Sequence, residues 1–175
     1  MIVAQVVAER EGAVLRHARE QDLPAIDALT VAGYAAIQES FVSMLGQDLY
    51  DAVQADPEQT WHERKVAQNR RLFGEHPEQV WVLDEAGDVF GYVSFWLFPE
   101  RSYGHLDNNA VDARRAGQGW ATFMYRHVLD GFRELGLQFA HVDTGLDDAH
   151  IPARRAYEAV GFDRSVPTLD LWRRL

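Results

Sequence analysis

The stretch that most restricts how this chain can fold is residues 106–136, LDNNAVDARRAGQGWATFMYRHVLDGFRELG. It reads as a strand, a glycine turn and a long helix in immediate succession. Residues 106–111 are short, have an apolar end and can close as a strand. After the turn of Arg114, Arg115, Ala116, Gly117, Gln118 and Gly119, apolar residues fall at Trp120, Phe123, Met124, Val128 and Leu135, close to a 3.6 period. Gly136 stands just past Leu135, where a helix-ending glycine belongs. A helix that opens directly from a glycine turn leaves its first N–H groups pointing into that turn. Its dipole adds partial positive charge there. With two arginines alongside, the turn is a site for phosphate or pyrophosphate.

The kind of phosphate ligand is narrowed by spacing. No G-x-x-x-x-G-K-[ST] match exists. A dinucleotide fingerprint G-x-G-x-x-G would need a third glycine at position 122, which is Thr122. The spacing that fits, from Arg114 to Gly119, is [Q/R]-x-x-G-x-[G/A]. Downstream, Ala153, Tyr157, Gly161 and Phe162 supply A-x-x-x-Y-x-x-x-G-F. On these two motifs and the gap between them, the chain resembles the GCN5-related N-acetyltransferase (GNAT) superfamily, strongly over 88–175 and more weakly over 13–87. The resemblance implies an α/β (α+β) fold. Its sheet would be mixed, twisted and mostly antiparallel, flanked by helices, with two central parallel strands that splay apart. It also implies direct transfer of an acetyl group from acetyl-CoA, as co-substrate, to the primary amine of a small-molecule or peptide acceptor.

Composition sets bounds consistent with this. The 175 residues suit one domain, 1–175, with a sizeable core. The hydrophobic share of 47% and charged share of 25% are those of a globular protein. No apolar run approaches the roughly 18 residues of a membrane helix, and the N-terminus makes a poor signal peptide, so no membrane partner and a cytoplasmic location are expected. With no cysteine, disulfides, thiolate metal ligands and a cysteine nucleophile are excluded. The net charge of −10 argues against nucleic acid and mildly favours a cationic amine.

Taken in order, residues 1–12 form an extra strand or a tail. Residues 13–17 read as a strand, and Asp22 as the N-cap of a helix with Pro24 in its first turn. Residues 41–49 continue as a second helix or a loop. A helix starts at Asp56-Pro57 and runs over about 57–74. Residues 79–98 form two antiparallel strands around a turn containing Gly87. Residues 139–144 read as a strand and 151–160 as a helix. Residues 162–175 read as a terminal pair of strands around Pro167.

The resemblance assigns roles. The pyrophosphate would lie on Arg114, Arg115, Ala116, Gly117, Gln118 and Gly119, mainly through backbone N–H groups. Trp120 opens the helix there, and Thr122 could add a hydroxyl. The main chain of Asn109, Ala110 and Val111 would pair with the pantetheine arm like an added strand. Strand alternation places His105, Asp107 and Asn109 on one face. His105 falls where several relatives carry a catalytic Glu, with Asp107 the second candidate base and water a third route. Tyr157 matches the family's tyrosine near the CoA sulfur, as the acid for the leaving thiolate. His150 stands near a position where many relatives contact CoA through an Asn. His141-x-Asp143, with Asp147, Asp148 and His150 nearby, raises a metal question. No H-E-x-x-H or similar spacing exists, and the family's chemistry needs no metal, so none is expected. Aromatic candidates for the acceptor wall are Tyr34, Phe41, Trp61, Trp96 and Tyr103. Two rival readings are a non-catalytic acyl-CoA-binding or sensor module, which would need no His105, Asp107 or Tyr157, and a Rossmann-like nucleotide binder, disfavoured by Thr122. A homodimer is compatible with the family, and the acceptor is open.

Overall fold

A computed structural model describes residues 5–53, 56 and 58–175. Six strands form one sheet in sequence order: β1 (Val6–Arg10), β2 (Ala13–His17), β3 (Val80–Glu85), β4 (Asp88–Phe98), β5 (Tyr103–Val111) and β6 (Phe139–Val142). All neighbours are antiparallel except β5 and β6. The five principal helices are α1 (Leu23–Leu45), α2 (Gln47–Val53), α3 (Trp61–Glu75), α4 (Trp120–Glu134) and α5 (Ile151–Ala159). Among the described residues no helix is long and apolar enough to cross a membrane. The mixed, helix-flanked sheet is the fold class implied by the sequence. Residues 6–10 form the extra strand that was one of two readings there, and residues 1–4 lie outside the described ones.

Each face of the sheet has its own core. On one, Leu15, Trp81, Leu83, Phe95 and Leu106 pack against Met124, Tyr125, Val128 and Phe132 of α4 and Tyr157 of α5. On the other, Val80, Val82, Tyr92 and Ala110 pack under Ile26 of α1 and Leu72 of α3. Gly104 makes the close fit of α4 possible, because a Cβ there would lie within 2.4 Å of the Phe132 ring.

Several local expectations are corrected. The carboxylate of Asp22 does not cap α1. It is buried and accepts from Arg16 at 2.6 and 3.0 Å and from the Arg19 N–H at 2.7 Å, so it is spent on the strand–helix junction. The helix at 41–49 is split by Gly46, at φ 76°, into the end of α1 and the start of α2. The next helix begins at Trp61. There Thr60 and Glu63 form a reciprocal capping box, a stronger start than Asp56-Pro57, of which Pro57 is outside the described residues. Residues 162–175 form no strands, and Leu171 is 87% exposed.

The buried Arg16 also reaches Asp84 at 2.8 Å, tying β2, β3 and the start of α1 together. Burial alone would raise the Asp22 carboxyl, but the Arg16 and Arg19 contacts hold it below its ordinary range. Removing the cation while keeping the bulk, Arg16→Met, leaves two carboxylates facing each other and should cost about 3–5 kcal/mol at neutral pH. Because the Asp22 carboxyl is depressed, the stability it contributes is present above about pH 4 and lost as pH falls through its folded value. Thermal unfolding of both proteins at pH 7 and well below pH 4 should therefore show the deficit shrinking in acid. A deficit independent of pH would remove the ion-pair explanation.

Candidate functional site

The site is built where β5 and β6 part. Their pairing runs from Tyr103 with Phe139 to Leu106 with Val142, and β6 ends there. Beyond Leu106, β5 continues to Val111 with no strand on that side among the described residues, so the main chain of Asn109, Ala110 and Val111 presents an open edge. This is the splayed edge expected from the sequence.

The turn after β5 has the expected form. Gly117 and Gly119 lie at φ 74° and 79°, in the left-handed region that glycine enters without cost. A Cβ at Gly117 would meet nothing within 4 Å, so the turn is open to a ligand. No side chain caps α4 at Gly119, which leaves the first helical N–H groups for an anion. The flanking arginines are less available than the sequence suggests. Arg114 forms a two-pronged pair with Asp112, whose carboxyl is held down at about 2 by that contact. Arg115 pairs with Glu85 and lies over the Phe90 ring. A cation the sequence reading missed is Arg10 of β1. It donates to the Gln118 carbonyl at 3.0 Å and stacks 4.5 Å from the Trp120 ring centre. Only the edge-to-edge return of β1 onto β2 brings it there, and no local pattern signals that. Trp120 is buried against Phe90 and Phe123. Thr122 is half-buried.

His105, Asp107 and Asn109 do not share a face. Val93 pairs with Asn109 but Phe95 pairs with Leu106, so Ser94 stands opposite two residues, Asp107 and Asn108. This β-bulge reverses the alternation. The Ser94 hydroxyl pins it, accepting from the Asn108 N–H at 3.0 Å and donating to the Asn108 carbonyl at 3.1 Å. Upstream, His105 and Asp107 face the α1–α3 side, where Trp96 Nε1 donates to Asp107 Oδ2 at 3.2 Å. Downstream, Asn109 faces α4 and α5. Its amide oxygen accepts from the Tyr125 hydroxyl at 2.6 Å, and its amide nitrogen donates to the Tyr157 hydroxyl at 3.2 Å.

Tyr157 is 6% exposed and its ring stacks on Tyr125, the centres 5.0 Å apart. Burial raises its hydroxyl above the ordinary value, against the opposing hydrogen bonds, so it stays protonated. His105 lies beside His141 across the parallel pair, with Nδ1 to Nδ1 at 2.8 Å, and Asp143 stands 3.5 Å from His141 Nε2 and 3.9 Å from His105 Nε2. Burial first, then His141, pushes the His105 imidazole below its ordinary value, so it is neutral at neutral pH. The other histidine of the sequence motif, His150, sits elsewhere. It is bonded to Asp147 at 2.5 Å, and Ser40 of α1 holds the same carboxylate. The sequence cluster of Asp and His residues is therefore two separate groups. Among the described residues, His105, His141 and Asp143 bring nitrogen and oxygen atoms within 4.8 Å of one another. The two Nδ1 atoms of that group already satisfy each other.

On the α1–α3 side, three further residues escaped the sequence reading: Lys65, Tyr50 and Gln38. Lys65 of α3 donates to Asn108 Oδ1 at 2.9 Å and lies over the Tyr34 ring, and burial lowers its ammonium below the ordinary value. Tyr50 of α2, Trp61 and Gln38 line an open groove of about 460 Å³ between α1, α2 and α3. Of the aromatic wall candidates, Trp61 lines this groove, while Tyr34 donates to Asn108 at 2.9 Å and Trp96 is tied to Asp107. Phe41 lies 6.5 Å from the His150 ring and Tyr103 stacks on Phe98.

Comparison with known proteins bears on the fold and the family. Ard1 from Thermoplasma volcanium superposes with a TM-score of 0.62 at 18% identity, covering 89% of this chain and 85% of that one. The ribosomal-protein-S18-alanine N-acetyltransferase of Escherichia coli gives 0.58 at 17% identity, over 88% and 79%. A Clostridium acetobutylicum acetyltransferase structure with acetyl-CoA gives 0.56 at 14% identity, over 91% and 95%. At these identities the likeness carries the fold alone. No curated protein matches the sequence significantly. The sequence profile of the acetyltransferase (GNAT) family, however, matches residues 46–162, two thirds of the chain and the whole of the turn, open edge and α5. The chain belongs to the GNAT acetyltransferase family.

Proposed function

We propose that this protein transfers an acetyl group from acetyl-CoA to a primary amine. One observation carries the reading: an open strand edge at Asn109–Val111 runs directly into an uncapped helix start at Gly119. An extended amide-bearing arm ending in a pyrophosphate needs that combination, since the edge offers strand-like hydrogen bonds and the helix end offers N–H groups. The residues present fit such a ligand, because a side chain at Gly117 or Gly119 would occupy the approach that these two leave bare.

Acetyl-CoA, when bound, supplies the thioester carbonyl that the amine attacks. The chain's own groups handle the two protons. His105, neutral and facing the α1–α3 side, accepts the proton of the incoming ammonium, with Asp107 as the second acceptor two residues on. Asp107 Oδ2 already accepts from Trp96 and Asn108, so His105 is the better placed. Tyr157, on the opposite face of β5, gives a hydrogen bond or proton to the departing thiolate, whose thiol titrates at roughly 8.5 by analogy with cysteine. Tyrosine, ordinarily near ~10 and raised here by burial, is the weaker acid of the two, so it stays protonated and serves the thiolate chiefly as a hydrogen-bond donor. A base and an acid on opposite sides of one strand suit a transfer in which acceptor and leaving group approach from opposite sides. Thiol release from acetyl-CoA against a panel of amines tests the assignment, and CoA binding with no release from any amine would convert it to that of a binding module.

Two variants separate the parts. Gly119→Glu puts a charged side chain at a positive φ, 3.4 Å from Arg10 by its Cβ alone, and into the anion path. Calorimetry should show CoA affinity falling at least about tenfold, or ~1.4 kcal/mol. Unchanged affinity would place the ligand elsewhere. Tyr157→Phe keeps the stacking on Tyr125 and deletes the hydroxyl. Its kcat should fall about 10- to 100-fold, or ~1.4–2.7 kcal/mol, while melting temperature and CoA affinity barely move. A loss of stability with kcat intact would make Tyr157 a core residue only.

A further inference from the structure

The pairing of two histidines across the parallel strands is used by neither the open edge nor the tyrosine. His105 and His141 are register partners on β5 and β6, and their Nδ1 atoms are 2.8 Å apart. A hydrogen bond of that length needs one ring to donate and the other to accept, so it fixes the hydrogen positions of both rings together. Asp143 selects the direction. It lies closer to His141 Nε2, at 3.5 Å, than to His105 Nε2, at 3.9 Å, which favours the hydrogen on His141 Nε2. His141 then accepts at Nδ1, His105 donates from Nδ1, and the lone pair of His105 is left at Nε2. That atom faces Asp143, which follows the end of β6 where the two strands separate.

We infer that His141 is a positioning residue: it holds His105 in the tautomer whose Nε2 can take a proton at the point where β5 and β6 part. The inference rests on the reading of His105 as the base. It differs from the common carboxylate arrangement in that the orienting group is itself a titratable ring, 53% exposed in its side chain, with a carboxylate beyond it. Protonation of the His141 ring removes the orienting acceptor, and two donor nitrogens then face each other. The groups facing His105 are Asp107 on its own strand, His141 and Asp143 on and after β6, and Trp96, its uncharged partner on β4. From α3, Lys65 lies beyond Asp107 on the Asn108 amide, and His76 packs on the far side of Trp96. Tyr103 packs edge-on against His141.

The arrangement can be read in the free enzyme, without an acceptor, by nitrogen-15 NMR of the ring nitrogens. In the wild type His105 should be held as the Nδ1–H form. In His141→Leu it should become a mixture of tautomers, and its titration should move to higher pH, because His141, the second cause of its depression after burial, is gone. Asn carries a side-chain oxygen near the position of Nδ1, so His141→Asn should restore the Nδ1–H form while keeping the higher titration. In turnover, His141→Leu should lower kcat roughly tenfold or more with KM little changed and the acidic limb moved upward, and His141→Asn should recover most of the rate. An unchanged tautomer and kcat in His141→Leu, or an Asn variant as impaired as Leu, would overturn the inference. Full activity in His105→Ala would instead remove the base reading itself, an outcome the ring-nitrogen spectra distinguish from failure of the pairing alone.

Discussion

The extra residue in β5 opposite Ser94 divides the molecule's chemistry, and the site depends on it. A regular strand would carry His105, Asp107 and Asn109 on one face, crowding the proposed base and the tyrosine's amide partner together under a single layer of helices. The bulge sends His105 and Asp107 toward α1 and α3 and Asn109 toward α4 and α5. The same strand then offers its edge between them. Ser94 makes the irregularity stable by satisfying the Asn108 N–H and carbonyl that regular pairing would have used. Such pinning of a bulge beside an open edge is a designed feature of the sheet.

Asn108 then becomes a polar hub inside the α1–α3 core. Its Oδ1 accepts from Tyr34 and Lys65, and its amide nitrogen donates to Asp107. Below it, Thr30, Asn69 and the Tyr92 hydroxyl share a second buried cluster. Buried polar groups are costly unless paired, so these bonds lock the positions of α1 and α3 relative to β4 and β5 more sharply than apolar contact would. Gly33 contributes at the same place, since a Cβ there would lie 3.0 Å from that of Ala110. Lys65, half-buried on the same side, feels the Asp107 carboxylate, which opposes the lowering of its ammonium by burial.

How much of this could be read from the sequence follows from how local each signal is. The turn, α4, α5 and the hairpin of β3 and β4 carry their own periodicity and glycine punctuation, and they appear where expected. Tyr157 was legible because the helix stripe and the family motif point to the same residue. The bulge was not, because an added residue in a strand leaves polar and apolar positions alternating. The burial pattern of β5 alternates without a break even though the faces exchange in the middle. Asp22 looked like a cap because caps and ion-pair partners are the same residue types, and only the return of β2 beside the helix start supplies Arg16. Arg10, Lys65 and the His105–His141 pair are contacts between segments far apart in sequence, for which one chain holds no spacing signal.

The turn itself shows how a chain of net charge −10 would receive the proposed multiply anionic ligand. The obvious cations at the turn are spoken for: Arg114 by Asp112, Arg115 by Glu85 and Arg10 by Glu11. Each pair is close to neutral from a distance, so the arginines provide little net attraction as they stand. The uncompensated positive end is the α4 terminus itself, with its uncapped N–H groups behind two glycines. Recognition of the proposed pyrophosphate is then a matter of backbone geometry first. The arginines would be recruited by exchanging an exposed carboxylate for a phosphate, a trade between two similar ion pairs in water that alters affinity little. This ordering leaves Trp120 free for packing: its indole lies edge-on against Phe90, while the proposed binding falls to the main chain of the turn.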